Sequence, residues 1–130
     1  MKKKAGFTLL ELIIAITIVT GLLIVFILQK LNVDAMNRDA ARKTSINAIY
    51  YALEEGFYEK NGFYPEHIDN AKVLPYIDPN SFTDPNGVNL WDKGSNFEYA
   101  PTGCEDAKCK NYSLRSTMEK EDTYIKTSRR

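Results

Sequence analysis

One carboxylate, Glu11, stands inside a run of 22 mainly apolar residues that extends from Phe7 to Leu28. A helix of that length crosses the hydrocarbon core of a bilayer. A carboxylate at that depth costs about 2.5–3.5 kcal/mol on insertion scales, and a plain anchor has no use for it. We therefore expect Glu11 to meet a positively charged partner inside the membrane.

Few other side chains could carry chemistry. His67 is the single histidine, and the sequence has neither a glycine-rich phosphate loop nor a metal-spaced cluster. Asp78, Asp84 and Asp92 could offer oxygens to calcium, but their spacing is not that of an EF-hand. Each stands in a turn signal, so we interpret them as turn residues. We interpret His67 as a solvated loop residue, and predict no enzymatic activity and no cofactor.

Three lysines, Lys2, Lys3 and Lys4, precede the apolar run. Such residues stay on the cytoplasmic side, so the chain beyond the run emerges outside. An ordinary secretory signal has a shorter apolar core and small residues after it. Here the run is longer, and the small residue Gly6 comes before it.

This order of features, in the string KKKAGFTLLELIIA, closely resembles the type III signal of type IV pilins and of the pseudopilins of type II secretion. The resemblance implies that a prepilin peptidase cuts between Gly6 and Phe7 and methylates the new N-terminal residue. Cleavage creates a positive amine at Phe7. If Glu11 of one subunit lies beside the Phe7 amine of its neighbour, both charges are paired and the helices keep one register.

The resemblance implies a leader at 1–6 and a transmembrane and polymerisation helix at 7–28. The sequence pattern adds a spine helix at 29–60 and a final region at 61–130. Apolar residues recur three or four apart along the spine, which predicts a helix packed on the rest of the domain. This apolar stripe comprises Val33, Met36, Ala40, Ile46, Ile49, Tyr50, Leu53 and Phe57. The charged residues Asp34, Arg38, Asp39, Arg42, Lys43 and Glu54 fall largely outside it.

The string NGFYP marks the end of the spine, because Gly62 can adopt a left-handed cap and Pro65 cannot continue a helix. It also resembles the motif that follows the helix in many pilins and in the major pseudopilin, and we expect Tyr64 to pack on the spine. The DPNG string at 84–87 resembles a family turn that usually carries an aromatic residue. Asn86 stands in that place, so we expect Trp91 to fill the vacated position.

Strand signals come late in the sequence. Alternation at Phe97–Tyr99 and at Tyr112–Met118, followed by Thr123–Thr127, predicts three or four short antiparallel strands. A short helical stretch is expected around Asn70–Tyr76. A helix followed by a meander is an α+β architecture, which agrees with the pilin fold that the resemblance implies.

Cys104 and Cys109 lie on the non-cytoplasmic side by this topology, where disulfides persist. We interpret them as a disulfide that closes the loop between two strands. Zinc would need two further ligands, and His67 is the only histidine.

Charge gives little support to nucleic acid as a partner. The chain has 17 basic and 17 acidic side chains, and loss of the leader lysines leaves 14 basic against 17 acidic. A small basic edge remains at Arg115, Lys126, Arg129 and Arg130, and it keeps a DNA-uptake pilin as an alternative. Acidic residues in the same region favour a solvated edge of mixed charge.

The sequence thus predicts a structural subunit, a major or minor pilin of a type IV pilus-like filament. The alternatives are a type II secretion pseudopilin, a DNA-uptake pilin and an anchored binding domain that does not assemble. Implied partners are other pilins, the prepilin peptidase, an inner-membrane platform with its ATPase, and membrane lipid before assembly. The predicted location is the inner membrane, with a single pass and an external exodomain, and then an extracellular pilus or a periplasmic pseudopilus.

Overall fold

A computed structural model describes residues 6–68 and 73–130. Helix α1 spans Leu9–Tyr51 and leads into a π-helical segment, Ala52–Tyr58, and a short helix α2, Glu59–Asn61. Gly62 ends the helix in the left-handed conformation, with φ of 74°, and its N–H donates to the Tyr58 carbonyl over 2.7 Å. The prediction of a helix that ends at this glycine is confirmed.

The strands form two small antiparallel sheets. Strand β1, Tyr64–Pro65, pairs with β3, Lys108–Cys109. Strand β4, Asn111–Ser116, lies between β2, Phe97–Thr102, and β5, Tyr124–Thr127. The predicted α+β architecture, with a long N-terminal helix packed on a small sheet, is confirmed.

The chain divides into two units, Met1–Ala35 and Met36–Arg130. In the second unit, one hydrophobic core joins the helix to both sheets and to the connecting loops. Its fully buried residues include Ile46, Ile49, Leu53, Tyr64, Phe82, Phe97, Tyr112 and Leu114.

The structure corrects the predicted stripe at several positions. Val33, Met36 and Ala40 are exposed, whereas Asp39, Arg42 and Glu54 are buried. The period is helical as predicted, but long polar side chains with fixed partners occupy inward positions that a hydrophobicity pattern assigns to solvent.

Two local predictions differ from the structure. Residues 73–77 form turns instead of a helix, and residues 70–72 of the expected helical stretch lie outside the described residues. Trp91 does not fill a core position, because its side chain is 52% exposed and rests against the Phe82 ring at 5.9 Å between centroids.

Cys104 and Cys109 are joined by a disulfide across the β2–β4 connection. Inside this ring, residues 105–108 form a tight two-residue turn, with paired backbone hydrogen bonds between Glu105 and Lys108 of 2.9 and 3.0 Å. Both central residues have positive φ, 50° at Asp106 and 62° at Ala107. Alanine in that conformation is strained, because its Cβ approaches the following carbonyl.

We expect Ala107→Gly to stabilise the fold by about 0.5–1 kcal/mol, because glycine removes this strain and completes the Asp-Gly pair that such turns prefer. Urea unfolding of the oxidised chain, followed by Trp91 fluorescence, measures the change. Ala100→Gly, in strand β2, is the control and should destabilise the fold. A loss of stability in Ala107→Gly would contradict the argument.

Candidate processing and assembly site

The N-terminal site is built around the first turn of α1. Gly6, Phe7 and Thr8 precede the helix and are exposed. The Thr8 hydroxyl oxygen accepts a hydrogen bond from the backbone N–H of Glu11 over 3.3 Å, and the Thr8 carbonyl accepts from the Leu12 N–H over 3.1 Å. Thr8 is therefore the N-cap of the helix.

Sequence reasoning overlooked Thr8, although a signal for it was present. Thr8 to Glu11 has the spacing of a capping box, a threonine followed three residues later by a glutamate. The structure thus shows that this segment caps the helix, and the cap fixes the residue at which the helix begins. Glu11 lies in the first turn of the helix, four residues after Phe7.

The segment that follows exposes its apolar side chains in all directions. Every residue from 6 to 33 is exposed, and Phe7 is 76% exposed. This part of the helix is long and apolar enough to cross a membrane. The Thr17 and Thr20 hydroxyls donate to carbonyls of their own helix at 2.8 Å. These two hydroxyls are therefore satisfied without water, as an apolar environment requires.

Two features bear on the predicted cleavage between Gly6 and Phe7. The peptide bond lies outside the helix, so a peptidase can reach it without unwinding regular structure. A Cβ added at Gly6 would meet no atom within 4 Å, so the fold of this chain does not itself demand glycine there. The assignment of Gly6, Phe7 and Glu11 to processing and assembly stays a prediction.

In the second unit, the guanidinium of Arg42 organises a buried ionic cluster. It donates to both oxygens of Asp84 at 2.5 and 3.2 Å, and to Asp39 at 2.9 Å. It also donates to Glu119 over 2.9 Å, and Arg38 donates to both oxygens of the same carboxylate at 2.8 and 2.7 Å. The cluster ties the helix to the 84–87 turn and to the 119–122 turn.

Hydrogen bonds hold the carboxylates of this cluster in their ionised form. Arg38 and then Arg42 lower the pKa of Glu119 to about 2, against the opposing effect of burial. Burial raises the pKa of Asp84, but the hydrogen bonds from Arg42 and from the Asn86 N–H outweigh it, so the pKa lies below its usual value. Asp39 accepts the backbone N–H groups of Glu119 and Lys120 at 2.9 and 2.8 Å.

The turn interpretation of the aspartates fits their contacts. Asp78 accepts from the Asn80 N–H at 2.9 Å, and Asp92 accepts from the Asn89 side chain at 2.8 Å. Asp84 has a second role that the sequence did not reveal, as the counter-ion of Arg42. The described residues contain no group of three or more histidine, cysteine, aspartate or glutamate side chains placed to hold a metal ion.

A second buried carboxylate, Glu54, lies in the π-helical segment. It accepts from the Tyr64 hydroxyl at 3.1 Å, from the Tyr112 hydroxyl at 2.9 Å and from the backbone N–H of Arg129 at 3.3 Å. Burial, and next the hydrogen bond to Glu54, raise the pKa of both tyrosines. Tyr64 packs on the spine as predicted, and Glu54 links β1, β4 and the segment after β5 to the helix.

The side chains of the basic edge contact acids or rings of the same domain. Arg115 lies 3.5 Å from Glu98, and Arg129 donates to the Tyr50 hydroxyl at 3.0 Å. The other two cations stand over tyrosine rings at 5.3 Å, Lys126 over Tyr50 and Arg130 over Tyr58. These contacts favour a structural role for the edge over a nucleic-acid surface. His67 is exposed, as the sequence indicates.

Comparison with known proteins bears on the N-terminal site. Residues 1–27 match the family model described as the Prokaryotic N-terminal methylation motif. The chain carries a prepilin-type methylation motif. No curated protein and no solved structure is similar enough to count as a match.

The methylation motif covers Gly6, Phe7, Thr8 and Glu11 together with the apolar segment that follows them. It is consistent with the type IV pilin and pseudopilin family, whose members are structural proteins and not enzymes. The motif implies processing by a prepilin peptidase and assembly with other pilins, and the apolar helix indicates membrane anchoring.

Proposed function

We propose that this protein is a structural subunit, a major or minor pilin, of a type IV pilus-like filament. The observation that carries the proposal is the segment 7–33. It exposes apolar side chains on every face, contains the single acidic residue Glu11 between Phe7 and Leu28, and begins within the methylation motif. A surface of this kind needs lipid or other copies of the same helix around it.

Assembly is driven in part by the free-energy cost of two charges in lipid, the Phe7 amine and the Glu11 carboxylate. The peptidase removes residues 1–6 and leaves an amine at Phe7, which is as costly in lipid as the Glu11 carboxylate. Pairing Glu11 of an incoming subunit with the Phe7 amine of a neighbour removes both penalties. The exposed apolar helices then bury one another in the filament core, and residues 36–130 form its surface.

The proposed partners and locations follow from the same scheme. The subunit waits in the inner membrane with its exodomain outside, in contact with lipid. It is processed by the prepilin peptidase and moved into the filament by an inner-membrane platform and its ATPase. It ends in an extracellular filament.

Processing is tested by the intact mass of the membrane-extracted protein, with and without its prepilin peptidase. We expect a peptidase-dependent chain that begins with N-methylated Phe7. Gly6→Val should block the cut, because the fold tolerates a side chain there and only the peptidase would reject it. Ala5→Val, one residue earlier, is the control. A chain that keeps residues 1–6 in both strains would overturn the proposal and leave a simple anchored domain.

A type II secretion pseudopilin is the second candidate. The NGFYP string, whose Gly62 caps the helix, and the DPNG turn favour it, whereas the cysteine pair favours a pilin. Deletion of the gene separates the two functions. Loss of long surface filaments supports a pilin, and loss of protein secretion without loss of surface filaments supports a pseudopilin.

A further inference from the structure

We propose that the second unit carries a binding cleft for a neutral sugar ring, with Trp91 as its stacking platform. The cleft has a volume of about 460 Å³ and contains both the single tryptophan and the single histidine of the chain. Its lining residues are Glu66, His67, Ile68, Leu90, Trp91, Tyr99 and Pro101. This proposal rests on the exodomain alone and does not depend on the filament function.

Backbone hydrogen bonds fix the turn that carries Trp91. Trp91 lies in a turn from Asn89 to Asp92 that is closed by the Asp92 N–H to Asn89 carbonyl hydrogen bond of 3.1 Å. The Leu90 N–H donates to the Phe82 carbonyl over 2.7 Å, which fixes the base of that turn. Trp91 nevertheless stays 52% exposed. An exposed aromatic ring on a hydrogen-bonded turn presents a flat apolar face to a ligand that has one as well.

Tyr99 is a second aromatic lining residue, and its position is fixed by two contacts. The Tyr99 hydroxyl donates to the Pro65 carbonyl over 2.6 Å, and the Tyr99 ring lies against the Tyr112 ring at 5.6 Å between centroids. Ile68 and Leu90 are buried and form an apolar floor. Most residues that line the cleft are therefore apolar or aromatic, and its volume is in the size range of sites that hold small ligands.

The polar residues at the rim of the cleft, Glu66 and His67, indicate the class of ligand. Glu66 and His67 are exposed and make no hydrogen bond or ion pair with the described part of the chain. A carboxylate only accepts hydrogen bonds, whereas an imidazole both donates and accepts. Sugar hydroxyls donate and accept, and the C–H face of the ring is apolar. The partial positive charge of hydroxyl hydrogens thus complements Glu66 while the ring face complements Trp91.

Two other ligand classes fit the cleft less well. An extended proline-rich peptide has few N–H groups, because proline has none, so it would leave the Glu66 carboxylate without a donor. An organic cation would be attracted by Glu66 and Trp91. Because Glu66 is exposed, its attraction for a cation is weak in water and is screened by salt.

The test uses the full chain in nanodiscs of phosphatidylethanolamine and phosphatidylglycerol, which contain neither sugars nor quaternary ammonium groups. The probes are methyl β-D-glucopyranoside and N-acetyl-D-glucosamine, with glycerol as an open-chain polyol. We expect saturable changes in Trp91 fluorescence and in the His67 ring resonances, with a Kd of about 1 mM. Both signals should persist at high salt and be absent with glycerol.

Paired variants assign the contacts. Glu66→Gln should weaken binding about threefold, because the amide oxygen still accepts a hydrogen bond but carries no charge, whereas Glu59→Gln, a carboxylate outside the cleft, should not. Trp91→Ala should abolish the sugar effect on His67, and Trp91→Tyr should retain part of it. No response to either sugar would overturn the proposal. So would a response to tetramethylammonium, N-acetyl-lysine amide or a proline-rich peptide in place of the sugars.

Discussion

Arg42→Met is expected to lower the free energy of unfolding by about 3–5 kcal/mol, a typical loss when one partner of a buried ionic cluster is removed. The methionine fills much of the volume but leaves Asp39 and Asp84, which are 1% and 2% exposed, without their counter-ion. Urea unfolding of the full chain in detergent micelles, followed by Trp91 fluorescence, gives the change.

Two comparisons separate this effect from the general cost of losing an arginine. Arg115→Met removes an exposed pair with Glu98 and should cost at most about 1 kcal/mol. Asp84→Asn combined with Arg42→Met should cost less than the sum of the single changes, because the second change removes a stranded charge. Additive losses would show that the cluster is not an energetic unit.

Acid should weaken the fold through the same cluster. The folded-state pKa values of Glu119 and Asp84 lie below their usual values, so protons bind more tightly to the unfolded chain. The stability that these groups contribute is complete above the usual carboxyl pKa, near pH 4–5, and is lost as the pH falls toward about 2. In Arg42→Met this acid dependence should become shallower. An unchanged pH profile would contradict the assignment.

Much of the fold could be predicted because it depends on local patterns. The helix end at Gly62 follows from a residue that adopts positive φ at no steric cost. Strand β4 alternates buried residues, Tyr112, Leu114 and Ser116, with more accessible ones, which is the two-residue period that the sequence displays. Such features can be predicted without knowing which residues lie across the core.

The buried polar groups could not be predicted for the opposite reason. Arg42 and Asp84 are 42 positions apart in the chain, and Tyr112 is 58 positions from Glu54. Their burial is stable only because each finds its partner in three dimensions. Read along the helix alone, Arg42 and Glu54 look like solvent-facing charges, and the 84–87 string looks like an ordinary turn.

The N-terminal site differs, because the sequence predicts a charge pair whose two members belong to different subunits. A single subunit therefore contains only half of it. Glu11 has a backbone contact with Thr8, but a partner for its carboxylate is expected only on another subunit. The cleft at Trp91 is intermediate. Its residues come from three stretches of sequence, around 66–68, 90–91 and 99–101, so no local motif predicts the cleft.

Glu11→Leu is expected to abolish filament assembly while leaving processing and membrane insertion intact. Leucine suits lipid better than a carboxylate, so the monomer gains about 2.5–3.5 kcal/mol in the membrane and the Phe7 amine of a neighbour loses its partner. A change of that size corresponds to about a hundredfold weaker association at each contact. Sheared filaments and membrane-bound subunit, quantified by immunoblot, provide the measurement.

A loss of assembly in Glu11→Leu has two possible explanations: a lost charge pair between subunits, or a weakened start of the helix. The capping contact of Thr8 supplies the control that separates them. The N–H of Glu11 donates to Thr8, and that bond survives replacement of the Glu11 side chain. Thr8→Val removes the cap, at a cost of about 1 kcal/mol to the first turn, and keeps the Glu11 charge. If Thr8→Val assembles and Glu11→Leu does not, the carboxylate acts between subunits. If both fail equally, Glu11 matters through the start of its own helix, and if Glu11→Leu still assembles, the charge-pairing mechanism is wrong.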